Sequence, residues 1–260
     1  MLNKLVCYYL RSFFNLTYVL CIVGVFVLNG ILVHASYDDL IPDGYANQIV
    51  FMFYMPLNIQ FDLLRWLLIF IPILLFLSSF ILREMRDHPT YLILRMKSYR
   101  HCFHSMFIAI CISLVGTLGI GYGVTGIVVF LLNHQIDQSD IGLSLFLNTN
   151  GWQLLLNHFS LFILTLLLLL IVHTIFSFIM HNAVFAMFTV IISMISSATI
   201  GYLFPSLLKF LPLTYFLLGL REMQEVTFAW SNSIILLCIV LSYCVLYMLF
   251  INLREKIVGV

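Results

Sequence analysis

The chain has 260 residues, of which 63% are hydrophobic and 9% are charged, and its mean hydropathy is +1.10. Soluble domains carry about 25% charged residues, and a water-exposed surface bearing these 24 phenylalanines and 13 tyrosines would contain large apolar patches. The composition therefore excludes an ordinary soluble domain and predicts an integral membrane protein. The net charge of +1 argues against nucleic acid as a main partner. The six cysteines form no Cys-x-x-Cys pair, so we expect no disulfide framework.

Residues 1–15 have an amphipathic pattern. Apolar residues recur at helical spacing from Leu2 to Phe14, with Lys4, Arg11 and Asn15 on the other side. Such a helix is expected to lie along the inner membrane surface. The alternative interpretation is a basic flank that does no more than fix the topology.

Six stretches of the chain are long and apolar enough to cross a bilayer, which requires about 20 residues. Helices are favoured because they satisfy their own backbone groups in lipid. We therefore predict an all-α, polytopic membrane protein with six transmembrane helices in a single domain, residues 1–260. The predicted spans are Leu16–Val33, Leu63–Leu82, Phe103–Leu132, Phe159–Met180, Ala183–Phe204 and Ser233–Ile251.

The positions of lysine and arginine predict the orientation, because cytoplasmic loops carry an excess of both. If the N-terminus is cytoplasmic, nine basic and three acidic residues lie inside, whereas three basic and eight acidic residues lie outside. Both termini are therefore expected in the cytoplasm. A competing interpretation treats the first apolar run, ending at Val33-His34-Ala35, as a cleaved secretory signal, although that run is longer than usual for a signal.

Residues 83–100, between the second and third spans, are basic but not uniformly polar. Pro89 predicts a break followed by a short helix. A positive-inside loop explains the charges, but it leaves the apolar stretch between them unexplained, which favours docking on a partner. The candidate docking residues are Arg83, Arg86, Tyr91, Leu92, Leu94, Arg95, Lys97 and Arg100.

The fourth and fifth spans are joined by a tight turn around His181 and Asn182. By contrast, residues 205–231 between the fifth and sixth spans are long and apolar, and Pro205 and Pro212 interrupt them. Apolar stretches of about 10–14 residues often form re-entrant or interfacial segments, so we predict short re-entrant helices on the outer side. The residues expected to line a gate there are Leu207, Leu208, Phe210, Leu211, Tyr215 and Phe216.

This order of elements resembles the type-2 ABC transporter permeases, the ABC-2 family, over essentially the whole chain. Within that family, short permeases that lack an ATPase of their own are similar to bacterial exporters of bacteriocins and amphipathic toxin peptides, including phenol-soluble-modulin transporters. The resemblance implies that residues 83–100 form the coupling helix on a separate ATPase subunit, which binds ATP and Mg²⁺. It implies extracellular gating helices within residues 205–225.

The same resemblance implies a location and a set of partners. The chain would be a multi-pass protein of a bacterial cell membrane, in contact with lipid. Its partners would be the ATPase subunit, a second permease subunit that is identical or different, and a hydrophobic or amphipathic peptide as substrate.

Sequence motifs for catalysis are missing. None of the four lysines follows a glycine, so the chain has no phosphate-binding Gly-Lys-Ser/Thr loop, and it has no His-Glu-x-x-His zinc-protease motif. Gly142-Leu143-Ser144-Leu145 matches a rhomboid-like serine protease motif only in part. We therefore expect no enzyme, cofactor or metal in this chain. His101 and His104 share a helix face, but juxtamembrane histidines near lipid headgroups explain them better than a metal site.

Polar residues within the spans are candidates for a translocation path. His173 lies in the middle of a predicted span, where ionisable groups are often functional; the alternative is a neutral imidazole bonded to a serine or threonine of a neighbouring helix. Ser196, Ser197 and Thr199 either line a path or bond to carbonyls of their own helix.

Five glycines crowd the third span. Two of them, Gly119 and Gly123, are spaced for close contact between helices. They indicate either a hinge or dimer seam, or packing within the subunit.

Three functions remain open from the sequence. The leading hypothesis is a permease subunit of an ABC exporter for hydrophobic or amphipathic peptides, serving secretion or self-immunity. The alternatives are a stand-alone membrane immunity protein that binds a toxin without transport, and a proton-coupled carrier that uses His173.

Overall fold

The computed structural model describes residues 2–37, 40–42, 44–53, 59–82, 99–132, 150–180, 182–215, 217 and 231–258. These residues are almost all helical and contain no strand, which confirms the predicted all-α class. Two 3₁₀ helices, Pro205–Phe210 and Pro212–Thr214, follow the seventh α-helix. The α-helices are α1 Leu2–Phe13, α2 Leu16–Tyr37, α3 Tyr45–Phe51, α4 Ile59–Leu82, α5 Tyr99–Leu132, α6 Gly151–Met180, α7 Ala183–Leu203 and α8 Ser231–Val258.

Within the described residues, four helices are long and apolar enough to cross a membrane: α2, α5, α6 and α7. They coincide with the predicted first, third, fourth and fifth spans, although α6 begins at Gly151, eight residues before the predicted start. The predicted second and sixth spans fall on α4 and α8, whose described apolar stretches, Leu64–Leu77 and Ile234–Leu249, are shorter.

The helix α6 is the centre of the bundle. It packs against α3, α4, α5, α7 and α8, and 61% of its apolar window is buried, compared with 33% for α7. Its sequence is apolar around the whole circumference, as expected of a helix surrounded by other helices. The other long helices therefore leave more of their apolar surface on the outside.

The predicted amphipathic segment forms the helix α1. Tyr9 and Phe13 are buried, whereas Arg11 is exposed. The two buried rings pack edge-to-face on Phe80 of α4, with centroids 5.8 and 5.9 Å away. Since α1 also packs along α5, its apolar side is covered by the protein's own helices.

The helix α3 has no counterpart in the sequence analysis, which treated residues between the first two spans as an outer loop. It begins after Gly44, whose φ of 91° favours glycine. Four residues from Val50 to Phe53 are at most 3% exposed, and α3 packs against α5 and α6. Seven residues are too short for helical periodicity to identify a buried helix, so the sequence pattern could not separate it from a loop.

The predicted hairpin between the fourth and fifth spans is confirmed in the described residues. Asn182 caps α7, because its side chain accepts hydrogen bonds from the backbone of Val184 at 2.9 Å and Phe185 at 3.3 Å. Two residues therefore separate the end of α6 from the start of α7, and the two helices pack along each other.

The glycines of α5 divide between two faces. A Cβ at Gly121 would lie 2.4 Å from the Phe26 ring, so this glycine permits close packing of α2 on α5. Gly119 and Gly123 are exposed and would meet nothing within 4 Å. Packing within the subunit therefore accounts for Gly121 but not for the Gly119–Gly123 pair.

Candidate functional site

A buried polar cluster lies at the start of α4. Asp62 and Arg65 are one helical turn apart, their side chains are 2% and 1% exposed, and Arg65 Nη1 is 2.5 Å from Asp62 Oδ1. The sequence analysis had counted both as charges on the outer side. Because they have opposite signs, their pairing leaves the charge difference used to predict the orientation unchanged.

Arg65 also reaches two other elements. Its Nε donates to Asn29 Oδ1 on α2 at 3.2 Å, and its Nη2 donates to the backbone carbonyl of Met52 at 2.9 Å. Asn29 Nδ2 donates to the same carbonyl at 3.0 Å. We call Asn29, Asp62, Arg65 and the Met52 carbonyl the Arg65 cluster. It holds α2, α4 and the segment after α3 together.

Aromatic rings surround the guanidinium of Arg65. The ring centroids of Tyr37 and Phe61 are each 6.0 Å from Arg65 Cζ, a distance at which a cation is attracted to the face of a ring. A charge removed from water costs several kcal/mol unless it is paired and hydrogen-bonded. The Arg65 cluster meets that requirement with a carboxylate, an amide and a carbonyl.

A second group of buried residues lies next to the Arg65 cluster. The Phe53 ring stacks on Tyr122 of α5, with centroids 4.4 Å apart and an interplanar angle of 18°. Phe26 and Phe162 contribute further rings, each 5.9 Å from Phe53. Tyr122 OH is 2.6 Å from Nδ1 of buried His158 on α6. We call Phe26, Tyr122 and Phe162 the aromatic slot, which contains the Phe53 ring.

Three of the predicted path residues make hydrogen bonds within their own helices. His173 is fully buried on α6, where Ser177 Oγ donates to its carbonyl at 2.8 Å and lies 3.4 Å from its Nδ1. On α7, Ser197 donates to the Ser193 carbonyl at 2.7 Å and Thr199 to the Ile195 carbonyl at 3.0 Å, while Ser196 is exposed. None of these bonds connects α6 to α7. For Ser197 and Thr199 the geometry therefore matches bonds to carbonyls of their own helix, whereas the Ser177 that contacts His173 lies on α6 itself and not on the neighbouring helix of the alternative interpretation.

The described gate residues lie in and around the two 3₁₀ helices and differ in exposure: Leu207, Leu208 and Phe210 are in the first, and Leu211 and Tyr215 flank the second. Leu208 and Tyr215 are buried, Leu207 and Phe210 are exposed, and Leu211 is half-buried. The Tyr215 hydroxyl donates to the Lys209 carbonyl and closes the broken segment on itself. Both 3₁₀ helices pack on α7. The remaining gate residue, Phe216, lies outside the described residues.

Most of the predicted docking segment lies outside the described residues. This applies to Arg83, Arg86, Tyr91, Leu92, Leu94, Arg95 and Lys97. Arg100 lies in the first turn of α5, but its side chain is outside the described part. Close to it, His104 Nδ1 is 2.6 Å from Tyr243 OH of α8, and its ring stacks on Tyr247. His104 therefore contributes to the contact between α5 and α8.

Sequence reasoning missed the residues that the structure brings together most closely. One signal was available: Asp62 and Arg65 have opposite charges at a spacing that lets them meet on one helix face. A second was Asn29, an amide within an apolar span, which needs a hydrogen-bond partner. Neither signal identifies the Met52 carbonyl as the common acceptor.

Comparison with known proteins adds no assignment, since no protein-family model, curated protein or solved structure matches the chain. Arguments about function therefore depend on the order of the helices and on the contacts described above.

Proposed function

We propose that this chain is the permease subunit of an ABC exporter that moves hydrophobic or amphipathic peptides across a bacterial cell membrane. The observation that carries the proposal is the order of its elements. An amphipathic helix packed on the bundle precedes the apolar helices, and a broken apolar segment packed on α7 precedes the last one. A separate ATPase subunit supplies ATP hydrolysis, and the chain itself is not an enzyme.

The proposal includes six spans with both termini in the cytoplasm. Two of the six rest on α4 and α8, whose apolar stretches Leu64–Leu77 and Ile234–Leu249 lie within helices of 24 and 28 residues. Such helices are long enough for a bilayer that requires about 20 residues. A reporter fused after Val260 and a cysteine introduced at Gln138 are expected on opposite sides. Labelling of Gln138→Cys from the cytoplasm alone would contradict this topology.

Coupling to the ATPase is assigned to residues 83–100, and gating to residues 205–231. Support for the first is the charge and apolar pattern of the segment itself. Support for the second is the position of the 3₁₀ helices, which pack on α7, with the second also touching α6 and α8. Movement of α7 or α8 would therefore be transmitted to Leu208 and Tyr215.

Co-purification tests the proposal directly. The chain, extracted from its native membrane in mild detergent, is expected to retain an ATPase subunit. The triple variant Arg95→Glu, Lys97→Glu, Arg100→Glu should lose that subunit, because reversed charges weaken a docking surface. The matched control is Arg254→Glu with Lys256→Glu, which changes basic residues at the other end of the chain. Retention of the ATPase by all variants would contradict the docking assignment. Its absence from the unmodified chain would favour a stand-alone immunity protein.

A second permease subunit is part of the proposal, and Gly119 and Gly123 mark its contact. Both lie one turn apart on an open face of α5, and glycines at this spacing let two helices approach closely in lipid. The double variant Gly119→Ile, Gly123→Ile is expected to dissociate the dimer, as measured by single-molecule photobleaching in nanodiscs. Gly24→Ile, at an equally open glycine of α2, is the control and should leave the dimer intact. Equal dimer fractions in the double variant and the Gly24→Ile control would show that Gly119 and Gly123 do not form the contact between the subunits.

A further inference from the structure

We propose that the Arg65 cluster and the aromatic slot form a binding site for an apolar peptide, and that the chain's own residues 49–53 occupy it as an internal substitute. The inference rests on the proposed function, because it assigns a site to the peptide cargo. The five residues, Ile-Val-Phe-Met-Phe, are all at most 5% exposed. The groups that hold them come from four other helices, α2, α4, α5 and α6.

The first part of the site recognises the peptide backbone. Arg65 Nη2 and Asn29 Nδ2 converge on one carbonyl oxygen, that of Met52, at 2.9 and 3.0 Å. A carbonyl oxygen has two lone pairs and accepts two such bonds. Every peptide offers this group, so the two donors select a peptide without selecting its sequence.

The charge of the cluster selects a neutral group. Asp62 already pairs with Arg65, so a carbonyl completes a site with no net charge. A free carboxylate in the same place would add a buried negative charge with no partner, which is unfavourable. The site is therefore expected to prefer an internal or amidated carbonyl to a C-terminal carboxylate.

The second part of the site recognises an aromatic side chain. Tyr122 stacks on Phe53 at 4.4 Å, and Phe26 and Phe162 provide further rings at 5.9 Å. Aromatic pairs at these distances stabilise a complex beyond the burial of apolar area alone. A peptide with a large aromatic residue next to the bound carbonyl would reproduce the contacts of Met52 and Phe53.

An external peptide must displace the internal segment before it binds. The segment belongs to the same chain, which gives it a high effective concentration at the site. Displacement would remove α3 from its position against α5 and α6. Fixing α3 in place should therefore prevent the external peptide from binding, whereas the unrestrained chain should bind that peptide.

The structure offers a pair of positions for such a lock. A Cβ at Gly151 would lie 3.3 Å from the Cβ of Ala46, close to the separation of about 3.5–4.5 Å in disulfides. Asn47 is the side chain that must turn aside, since its Oδ1 lies 2.5 Å from the same point. The double variant Ala46→Cys, Gly151→Cys can then be oxidised to tie α3 to α6.

The experiment measures photocrosslinking of a peptide to the purified full chain in nanodiscs. The probe is Ile-Val-Phe-Met-Phe amide with a photoreactive group at its N-terminus. Labelling of the reduced double variant is expected to fall at least about tenfold after oxidation, which corresponds to about 1.4 kcal/mol. The variants Ala46→Cys alone and Gly151→Cys alone, treated with the same oxidant, are the controls and should keep their labelling. Equal labelling of the oxidised and reduced double variant would overturn the proposal.

Two further comparisons test the parts of the site. Tyr122→Phe keeps the ring and should keep the labelling, whereas Tyr122→Leu should lower it, since the stacked ring is lost. The unmodified chain should be labelled more strongly by Ile-Val-Phe-Met amide than by Ile-Val-Phe-Met with a free carboxylate, because the methionine carbonyl that Arg65 binds is then the terminal group. Labelling that is equal for both peptides, or stronger for the free acid, would contradict the recognition of a neutral carbonyl by Arg65.

ATPase co-purification and peptide labelling can fail independently, so together they distinguish the peptide site from the proposed exporter. If the ATPase subunit is retained but oxidation leaves labelling unchanged, the site is wrong and the exporter stands. If oxidation blocks labelling but no ATPase is retained, the site stands in a protein that binds peptides without exporting them.

Discussion

The polar groups of the Arg65 cluster and those of Ser177 on α6 and Ser197 on α7 are satisfied in opposite ways. Arg65 bonds to Asn29 of another helix and to a backbone carbonyl outside any helix. Ser177 and Ser197 instead bond to carbonyls four residues earlier in their own helices. The first arrangement exists only when several elements are assembled, whereas the second forms with the helix itself. A polar residue within a span is thus not evidence of a path until its partners are known.

The largest effect is expected at Arg65. The Arg65→Met variant leaves the Asp62 carboxylate buried without its cation, which should lower the free energy of unfolding by about 3–5 kcal/mol. The measurement is reversible unfolding in mixed detergent micelles. The double variant Asp62→Leu, Arg65→Met removes both charges and should recover part of the loss. A single variant as stable as the unmodified chain would show that the pair does not hold α4 in place.

A smaller effect is expected at Tyr18, which connects α2 to α5. Its hydroxyl is 2.7 Å from Thr117 Oγ1, and both residues are buried. Tyr18→Phe keeps the ring and removes one hydrogen bond, so the free energy of unfolding should fall by about 1 kcal/mol. Tyr8→Phe is the matched control, because Tyr8 is 55% exposed, and it should change nothing measurable. Equal stability of the two variants would contradict a role for the bond between helices.

The smallest effect is expected at Ser197. Its hydroxyl bonds within α7 and leaves the contacts between helices unchanged, so Ser197→Ala should change the free energy of unfolding by less than about 0.5 kcal/mol. Peptide export by the same variant is the second measurement. Unchanged export would favour the local interpretation, whereas reduced export at unchanged stability would restore Ser197 to the translocation path. A large loss of stability would contradict the comparison between the two regions.

The docking residues stay a prediction of the sequence, since residues 83–98 lie outside the described part. The path residues illustrate a different limit. His173 was chosen because it is a histidine in an apolar span, but the sequence did not reveal that Ser177, one turn later, would contact it. The gate residues show a third limit: hydrophobicity identified all of them, but not which ones face inward. Leu208 is buried and Leu207 exposed, because 3₁₀ helices turn neighbouring side chains in different directions.

The sequence by itself determined the all-α class, the presence of helices long and apolar enough to cross a membrane, and where most of the long helices lie. Those properties depend on composition and on the length of apolar runs, which are local. The boundaries of α5 and α7 lie close to the predicted ones for that reason.

The tertiary structure alone decided that α3 is buried, that the side chains of Arg65 and Asp62 are buried within the protein, and which glycines of α5 contact a neighbouring helix. Each of these depends on contacts between distant parts of the chain: Asn29 and Arg65 are 36 residues apart, and Tyr18 and Thr117 are 99 apart. No local pattern encodes such partners, because burial of a polar group is favourable only where another element supplies its hydrogen bonds.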